Sequence, residues 1–135
     1  MCILITLNFV GYYEENDLPL EVYNCSGVYA VYRGINKYPT KLLYIGRTGD
    51  FSDRPSKNHH KYKDWQREIV KNKEELYFSF AATDEEKIAE AALIFKYKPE
   101  FNEIGKESFI YRETRVKTSG TKAFIDDYFV VEQTN

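Results

Sequence analysis

The chain of 135 residues lacks the features that mark secreted and membrane-spanning proteins. It has only two cysteines, Cys2 and Cys25, without a CxxC spacing, which excludes a disulfide framework and favours reduced thiols. No apolar run reaches the length of a membrane span, and the first residues lack the positive charge and length of a signal peptide. We therefore expect a cytoplasmic protein with no membrane partner.

Positive charge is not in excess either. Lys and Arg number 19 and Asp and Glu 21, so the formal net charge of -2 argues against a uniformly basic nucleic-acid binder. The charge is nevertheless partitioned, because residues 33–73 carry a local balance of +7 and the segments on either side are acidic. This partition makes a polyanion a candidate partner, whereas the alternative reading is that a Lys-rich segment is a solvated helix face.

The chain does contain core material, since 43% of its residues are apolar and 16% are aromatic. This content is too high for a disordered segment, and the length suits one hydrophobic core. No internal repeat or low-complexity tract interrupts the sequence. We predict a single domain that covers residues 1–135.

Strand patterns occur in both halves of the chain. Alternating apolar residues predict a first strand over residues 3–9, and residues 76–80 predict another. Residues 27–33 and 41–46 favour an antiparallel hairpin, because the intervening segment has Gly, Asn and Pro at turn positions. Residues 108–117 and 121–131 predict a C-terminal hairpin around Thr118-Ser119-Gly120.

Two helical patterns lie between these strands. The first is basic and covers residues 52–72, with Trp65 on its apolar edge as a core residue. The second begins with Thr83-Asp84-Glu85-Glu86, which has the form of a capping box, and runs to Lys98. Pro99 ends it, because proline disfavours the helical conformation of the residue before it.

Two tyrosines of the predicted hairpin are candidates for chemistry. If the hairpin closes symmetrically about residues 36 and 37, Tyr29 faces Tyr44 across the ladder. Two hydroxyl groups then converge on one face of the sheet. The alternative is that the pair only packs, as tyrosines on a sheet commonly do.

Glu90 is the only charged residue in the apolar helical segment 88–95. An unpaired buried carboxylate is costly, so this side chain needs a cation. A salt bridge to Lys or Arg would satisfy it, and so would Mg²⁺, which is often held by one or two carboxylates with water and phosphate oxygens.

Basic and imidazole side chains follow the third predicted strand. Arg54 could present its planar guanidinium to a phosphate, or it could be an ordinary surface arginine. His59 and His60 have no further ligands at zinc-site spacing, so one of them is more plausible as a proton carrier.

The order of these residues resembles the GIY-YIG nuclease family. Gly27-Val28-Tyr29 and Tyr44-Ile45-Gly46 match the two motifs, with the second tyrosine ten residues before Arg54. Glu90 lies twelve residues before Asn102, which is similar to the spacing in the family's repair-type members. The family often has His or Tyr four residues after the arginine; here that position is Asn58 and His59 follows.

The resemblance implies an α+β fold, in which a small antiparallel β-sheet with a three-stranded core is flanked by helices. The core covers residues 26–102, with an N-terminal extension (1–25) that adds a strand and a C-terminal extension (103–135) that adds a hairpin. The implied activity is hydrolysis of DNA phosphodiesters with one divalent metal, Mg²⁺ or Mn²⁺. RNA is a further candidate substrate, and a homodimer would supply a second active site.

The resemblance also implies roles for individual residues. One of the tyrosines, Tyr29 or Tyr44, helps to deprotonate the attacking water, Arg54 clamps phosphate and Glu90 binds the metal. Asn102 braces the site. The implied catalytic residues are Tyr29, Tyr44, Arg54, His59, Glu90 and Asn102, and the implied nucleic-acid contacts are Arg47, Arg54, Lys57, His60 and Lys61. The alternative function is a non-catalytic nucleic-acid-binding or protein-interaction module on the same scaffold.

Overall fold

A computed structural model describes residues 2–15, 17, 25–50 and 59–134 of the chain. The fold is α+β. The elements of the described residues are, in chain order, β1 (Ile3–Tyr13), β2 (Gly27–Ile35), β3 (Tyr38–Thr48), α1 (Tyr62–Asn72), β4 (Glu75–Ala82), α2 (Glu86–Tyr97), β5 (Thr114–Gly120) and β6 (Tyr128–Val131). Neither of these two helices combines the length and the apolar character that crossing a membrane requires.

The strands form one mixed sheet in the order β3-β2-β4-β1-β5-β6. β1 pairs parallel with β5, and the remaining neighbours pair antiparallel. The three-stranded core that the family resemblance implied is not confirmed. The reason is that β1 hydrogen-bonds to β4 on one side and to β5 on the other, so the terminal strands continue the sheet.

The β2–β3 hairpin turns at Asn36 and Lys37, as the symmetric closure predicted. Both residues have positive φ, 53° and 64°, which is the backbone conformation of a two-residue type I′ turn. Ile35 accordingly faces Tyr38. The turn therefore starts the ladder in the expected register.

Further along this hairpin the register changes. Two irregularities shift the pairing, so that Val31 faces Tyr44 and Tyr29 faces Gly46. The predicted direct pairing of Tyr29 with Tyr44 is therefore wrong. Because side chains alternate between faces with a period of two, the combined shift still leaves both tyrosines on the same face.

Each face of the sheet carries one helix. α2 covers one face through Ala89, Ala92, Leu93 and Ile94. On the other face α1 packs through Trp65, which is fully buried, so the prediction of a core tryptophan is confirmed. α2 packs mainly on β3 and α1 mainly on β4 and β2, while Trp65 of α1 also lies beside Tyr44 of β3.

The helix boundaries differ from the predicted ones at their starts. α1 begins at Tyr62 after a turn over residues 59–61, and the remainder of the predicted start lies outside the described residues. α2 begins at Glu86 without a side-chain cap, because Thr83 Oγ1 instead accepts the N–H of Glu85 at 3.1 Å. The predicted capping box is therefore wrong, whereas the end of α2 at Tyr97, before Pro99, agrees with the prediction.

The C-terminal hairpin forms with a longer connection than predicted. β5 and β6 pair antiparallel, with Thr114 opposite Val131 and Lys117 opposite Tyr128. The predicted turn residues 118–120 belong to β5, because they extend its pairing with β1 as far as Phe9. Residues 121–127 make the connection.

Candidate active site

The candidate site lies at the outer edge of the sheet, where β3 has no further strand beside it among the residues that the structure describes. Asn102 covers this edge: its Oδ1 accepts the N–H of Ile45 and its Nδ2 donates to the carbonyl of Ile45, both at 2.9 Å. The N–H of Phe101 donates to the carbonyl of Leu43 at 3.0 Å. The side-chain amide of Asn102 thus bonds the backbone groups of Ile45 that a neighbouring strand would otherwise bond, and Asn102 is only 5% exposed.

Both motif tyrosines lie beside this edge, on the face that carries α1. Their ring centroids are 6.3 Å apart. Opposite Tyr29 there is no side chain, since a Cβ on Gly46 would lie 2.3 Å from the hydroxyl oxygen of Tyr29. Gly46 therefore makes the room in which the ring of Tyr29 lies across β3.

His59 forms hydrogen bonds at both ring nitrogens, one with the backbone of Lys61 and one with Tyr29. The N–H of Lys61 donates to Nδ1 at 3.0 Å, so Nδ1 carries a lone pair. In the neutral ring the proton is then on Nε2, which lies 3.1 Å from the hydroxyl oxygen of Tyr29. The imidazole consequently donates to Tyr29 and defines the position of its oxygen.

The imidazole of His59 is held neutral by its surroundings. Burial, and to a smaller extent the neighbouring His60 and Lys61, lower the pKa of His59 to about 4. The ring stacks on Trp65, with centroids 4.7 Å apart, and meets the ring of Tyr44 edge-on at 5.2 Å. At neutral pH His59 is therefore a hydrogen-bond donor without charge.

We expect the free energy of unfolding to fall as the pH decreases from about 6.5 to about 4. The folded state holds the pKa of His59 near 4, whereas an unfolded chain has the ordinary value of about 6.5. Between these values the unfolded state binds more protons, so acid favours unfolding. Urea unfolding followed across this range measures the effect.

His59→Gln and His60→Gln are matched variants for this measurement. Removing His59 should flatten the pH dependence in the window above, because the buried titrating group is gone. His60 is exposed, and its variant should keep the slope of the parent protein. An unchanged slope in His59→Gln would assign the pH dependence to other groups.

The carboxylate of Glu90 forms a salt bridge with Arg47. Its Oε1 lies 3.3 Å from Nε of Arg47, the residue that follows the YIG sequence on β3. The carboxylate is partly buried, with 24% of the side chain exposed. Burial raises the pKa of Glu90, and Arg47 opposes that rise. Of the two cations that the sequence allowed, the described residues supply the arginine.

An open groove of about 560 Å³ runs past this ion pair. Its lining includes Tyr44, Arg47 and Glu90, together with Lys87 from the preceding turn of α2. Lys87 was not among the predicted site residues, although its spacing of three residues from Glu90 puts both on one helix face. Residues of the segment after α2, between Asn102 and Tyr111, also line the groove.

Tyr44, which lines the groove, has a raised pKa. Burial raises the pKa of Tyr44, and the carboxylates of Glu90 and Glu103 add to this. Tyr44 is therefore a neutral hydroxyl group at physiological pH. It can donate a hydrogen bond into the groove.

The structure describes two of the four remaining residues that were predicted to contact nucleic acid. His60 is exposed and stacks on His59 with centroids 4.5 Å apart, and Lys61 lines the groove while it pairs with Glu103. Arg54 and Lys57 lie outside the described residues.

The predicted basic segment is less positive in the folded chain than its sequence suggests. Several of its cations are paired with glutamates that lie beyond residue 73. These pairs are Arg33 with Glu74, Lys41 with Glu100, Arg47 with Glu90 and Lys61 with Glu103. The acidic C-terminal segment therefore neutralises much of the +7.

Within the part of the chain that the structure describes, no three His, Cys, Asp or Glu side chains are grouped as metal ligands. No family model, curated protein or solved structure matches the chain.

Proposed function

We propose that this chain is a metal-dependent endonuclease that hydrolyses DNA, as its resemblance to the GIY-YIG nucleases implies. The observation that carries the proposal is the meeting of distant residues at one sheet edge. Five candidate residues come from four separate parts of the sequence and surround one end of β3. They are Tyr29, Tyr44, His59, Glu90 and Asn102. A chance set of motif residues would have no reason to converge in this way.

We assign a single Mg²⁺ or Mn²⁺ to Glu90, one of the two glutamates that line the groove. Glu90 presents a partly exposed carboxylate to the groove, and no described residue donates a hydrogen bond to its Oε2. Magnesium keeps several waters and commonly takes one or two carboxylates with substrate phosphate oxygens. When bound, the ion would neutralise charge on the reacting phosphate and lower the pKa of a bound water.

Proton transfer is the task that the chain's own side chains fit best. Tyr29 accepts a hydrogen bond from Nε2–H of neutral His59, which fixes the position of its hydroxyl oxygen. Tyr29 is therefore our choice for the proton acceptor. Tyr44 lines the groove as a neutral hydroxyl group and would orient the water or phosphate by donating to it.

The cations that line the groove are our candidates for binding the phosphate. Arg47 and Lys87 flank the carboxylate of Glu90, and 43% of the Arg47 side chain is exposed. A phosphodiester placed between them would meet a planar donor group and a point charge. With a substrate present, Arg47 would share its donors between Glu90 and the phosphate.

Nicking of supercoiled plasmid tests the proposal. We expect the parent protein to nick with Mg²⁺ or Mn²⁺ and to stop when EDTA is added. Tyr29→Phe should slow nicking by about a hundredfold, the lower range for loss of a general base. Tyr38→Phe, an exposed tyrosine at the start of β3, is the matched control and should nick normally.

The same assay separates the proposal from its alternative. The specific observation that favours a binding module is that Arg47 already satisfies Glu90. Binding of plasmid without nicking, in either metal, would replace the nuclease by such a module. Equal nicking by the parent protein and Tyr29→Phe would contradict the role of the tyrosine. Parallel assays on single-stranded RNA test the other substrate.

A further inference from the structure

Two exposed isoleucines line the same groove as the ion pair. Ile104 is 86% exposed and Ile110 is 72% exposed, and both line the groove together with Arg47 and Glu90. Both belong to the C-terminal extension. Exposed apolar side chains that are grouped in one groove, unlike ones scattered singly over a surface, are typical of a binding site.

The segment that carries them is anchored at both ends. Asn102 is bound to the edge of β3 as described above. Phe109 is 1% exposed and packs in the core, and its N–H donates to Thr134 Oγ1 at 3.0 Å. The N–H of Thr134 returns to the carbonyl of Phe109 at 3.0 Å. These contacts hold the isoleucines out of the core, so their exposure is built into the fold.

The side chains that line the groove suit two kinds of ligand group. Arg47 and Lys87 suit an anion, whereas Ile104 and Ile110 suit a flat apolar surface. The volume of about 560 Å³ lies in the range of sites for small organic ligands. A nucleotide combines a phosphate with an apolar base face at this size.

We infer that the groove takes a single unstacked nucleotide, with its phosphate towards Arg47 and Lys87 and its base against Ile104 and Ile110. The inference rests on the proposed function and specifies its substrate class, namely DNA with an unpaired base next to the scissile phosphate. In a continuous duplex the base faces are covered by stacking, and exposing one costs free energy. A bulged base meets the isoleucines without that cost.

Binding and cleavage of matched oligonucleotides test the inference. The probes share one sequence and are a fully paired duplex, the same duplex with one bulged base, and the single strand. We expect the parent protein to bind the bulged duplex about tenfold more tightly than the paired one in EDTA, which corresponds to about 1.4 kcal/mol. The double variant Ile104→Ser with Ile110→Ser should lose this preference and keep its affinity for the paired duplex.

Val70→Ser is the matched control, because Val70 is 74% exposed on α1 and does not line the groove. It should keep the preference. Equal binding of bulged and paired duplexes by the parent protein, or an unchanged preference in the double variant, would overturn the inference.

Cleavage of the same duplexes shows whether the base-binding groove or the nuclease activity is the part that fails. If the parent protein cuts paired and bulged duplexes equally and Glu90→Gln does not cut, the nuclease stands without the base-binding groove. If the bulged duplex is preferred in binding but nothing is cut with Mg²⁺ or Mn²⁺, the groove stands and the nuclease fails.

Discussion

Replacing Glu90 by glutamine is expected to reduce nicking by at least about a hundredfold while the protein stays folded, a loss of the size seen when one electrostatic group is removed from an active site. The amide keeps the shape of the side chain but loses the charge that would hold a divalent cation. Stability should change by less than about 1 kcal/mol, because Arg47 is partly exposed and can be solvated when its partner is neutral. Nicking rates and urea unfolding measure the two quantities.

Glu86→Gln provides the comparison for this variant. Glu86 lies one turn earlier on α2, on the same side of the helix, and does not line the groove. The Glu86→Gln variant should nick plasmid at the rate of the parent protein. If Glu90→Gln also kept that rate, the carboxylate would be a structural partner of Arg47 and the metal site would lie elsewhere.

Replacing Asn102 by alanine is expected to lower the free energy of unfolding by about 2–6 kcal/mol, because two buried backbone groups lose their partners at about 1–3 kcal/mol each. The groups are the N–H and the carbonyl of Ile45, a residue that is fully buried. The loosened edge of β3 should also slow nicking, since Tyr44 and Arg47 flank Ile45 on the same strand. Urea unfolding gives the stability.

Two further variants separate hydrogen bonding from size. Asn102→Asp has nearly the same volume but cannot donate to the carbonyl of Ile45 when ionised, so it should destabilise as well. Asn72→Ala removes an exposed amide that donates to the carbonyl of Glu68 at 2.8 Å, and should cost less than about 0.5 kcal/mol. A stable Asn102→Asp with its carboxyl group ionised would mean that donation to the carbonyl of Ile45 contributes little to stability.

Much of the local structure of this chain could be predicted from its sequence. The strands at β1, β2, β3 and β4 follow from runs of β-branched and aromatic residues, and the end of α2 follows from Pro99. These signals act over a few residues, so they survive in any fold. The start of α2 was predicted less well, because Thr83 bonds to Glu85 rather than capping a helix in the expected way.

The arrangement of the strands could not be predicted in the same way. The parallel pairing of β1 with β5 joins the two ends of the chain, and it turns the expected three-stranded core into part of a larger sheet. The shift that places Gly46 opposite Tyr29 likewise depends on packing across the sheet. The symmetric turn at Asn36 was predicted correctly, but it governs only the nearest pairs.

Sequence order and residue type were enough to identify Tyr29, Tyr44, Glu90 and Asn102 as candidates, because their spacing along the chain resembles that of a known nuclease family. The sequence also required a cation for Glu90, since its segment is otherwise apolar. These conclusions rest on chemistry that each side chain carries wherever it is placed.

The tertiary structure decided which charges and apolar groups remain available. It paired Arg47 with Glu90 and Lys61 with Glu103, it joined His59 to Tyr29, and it held Ile104 exposed beside the groove. Each of these outcomes depends on residues that are distant in sequence coming within a few ångströms of one another. Periodicity and composition report on neighbours along the chain, whereas ion pairing and exposure depend on neighbours in space.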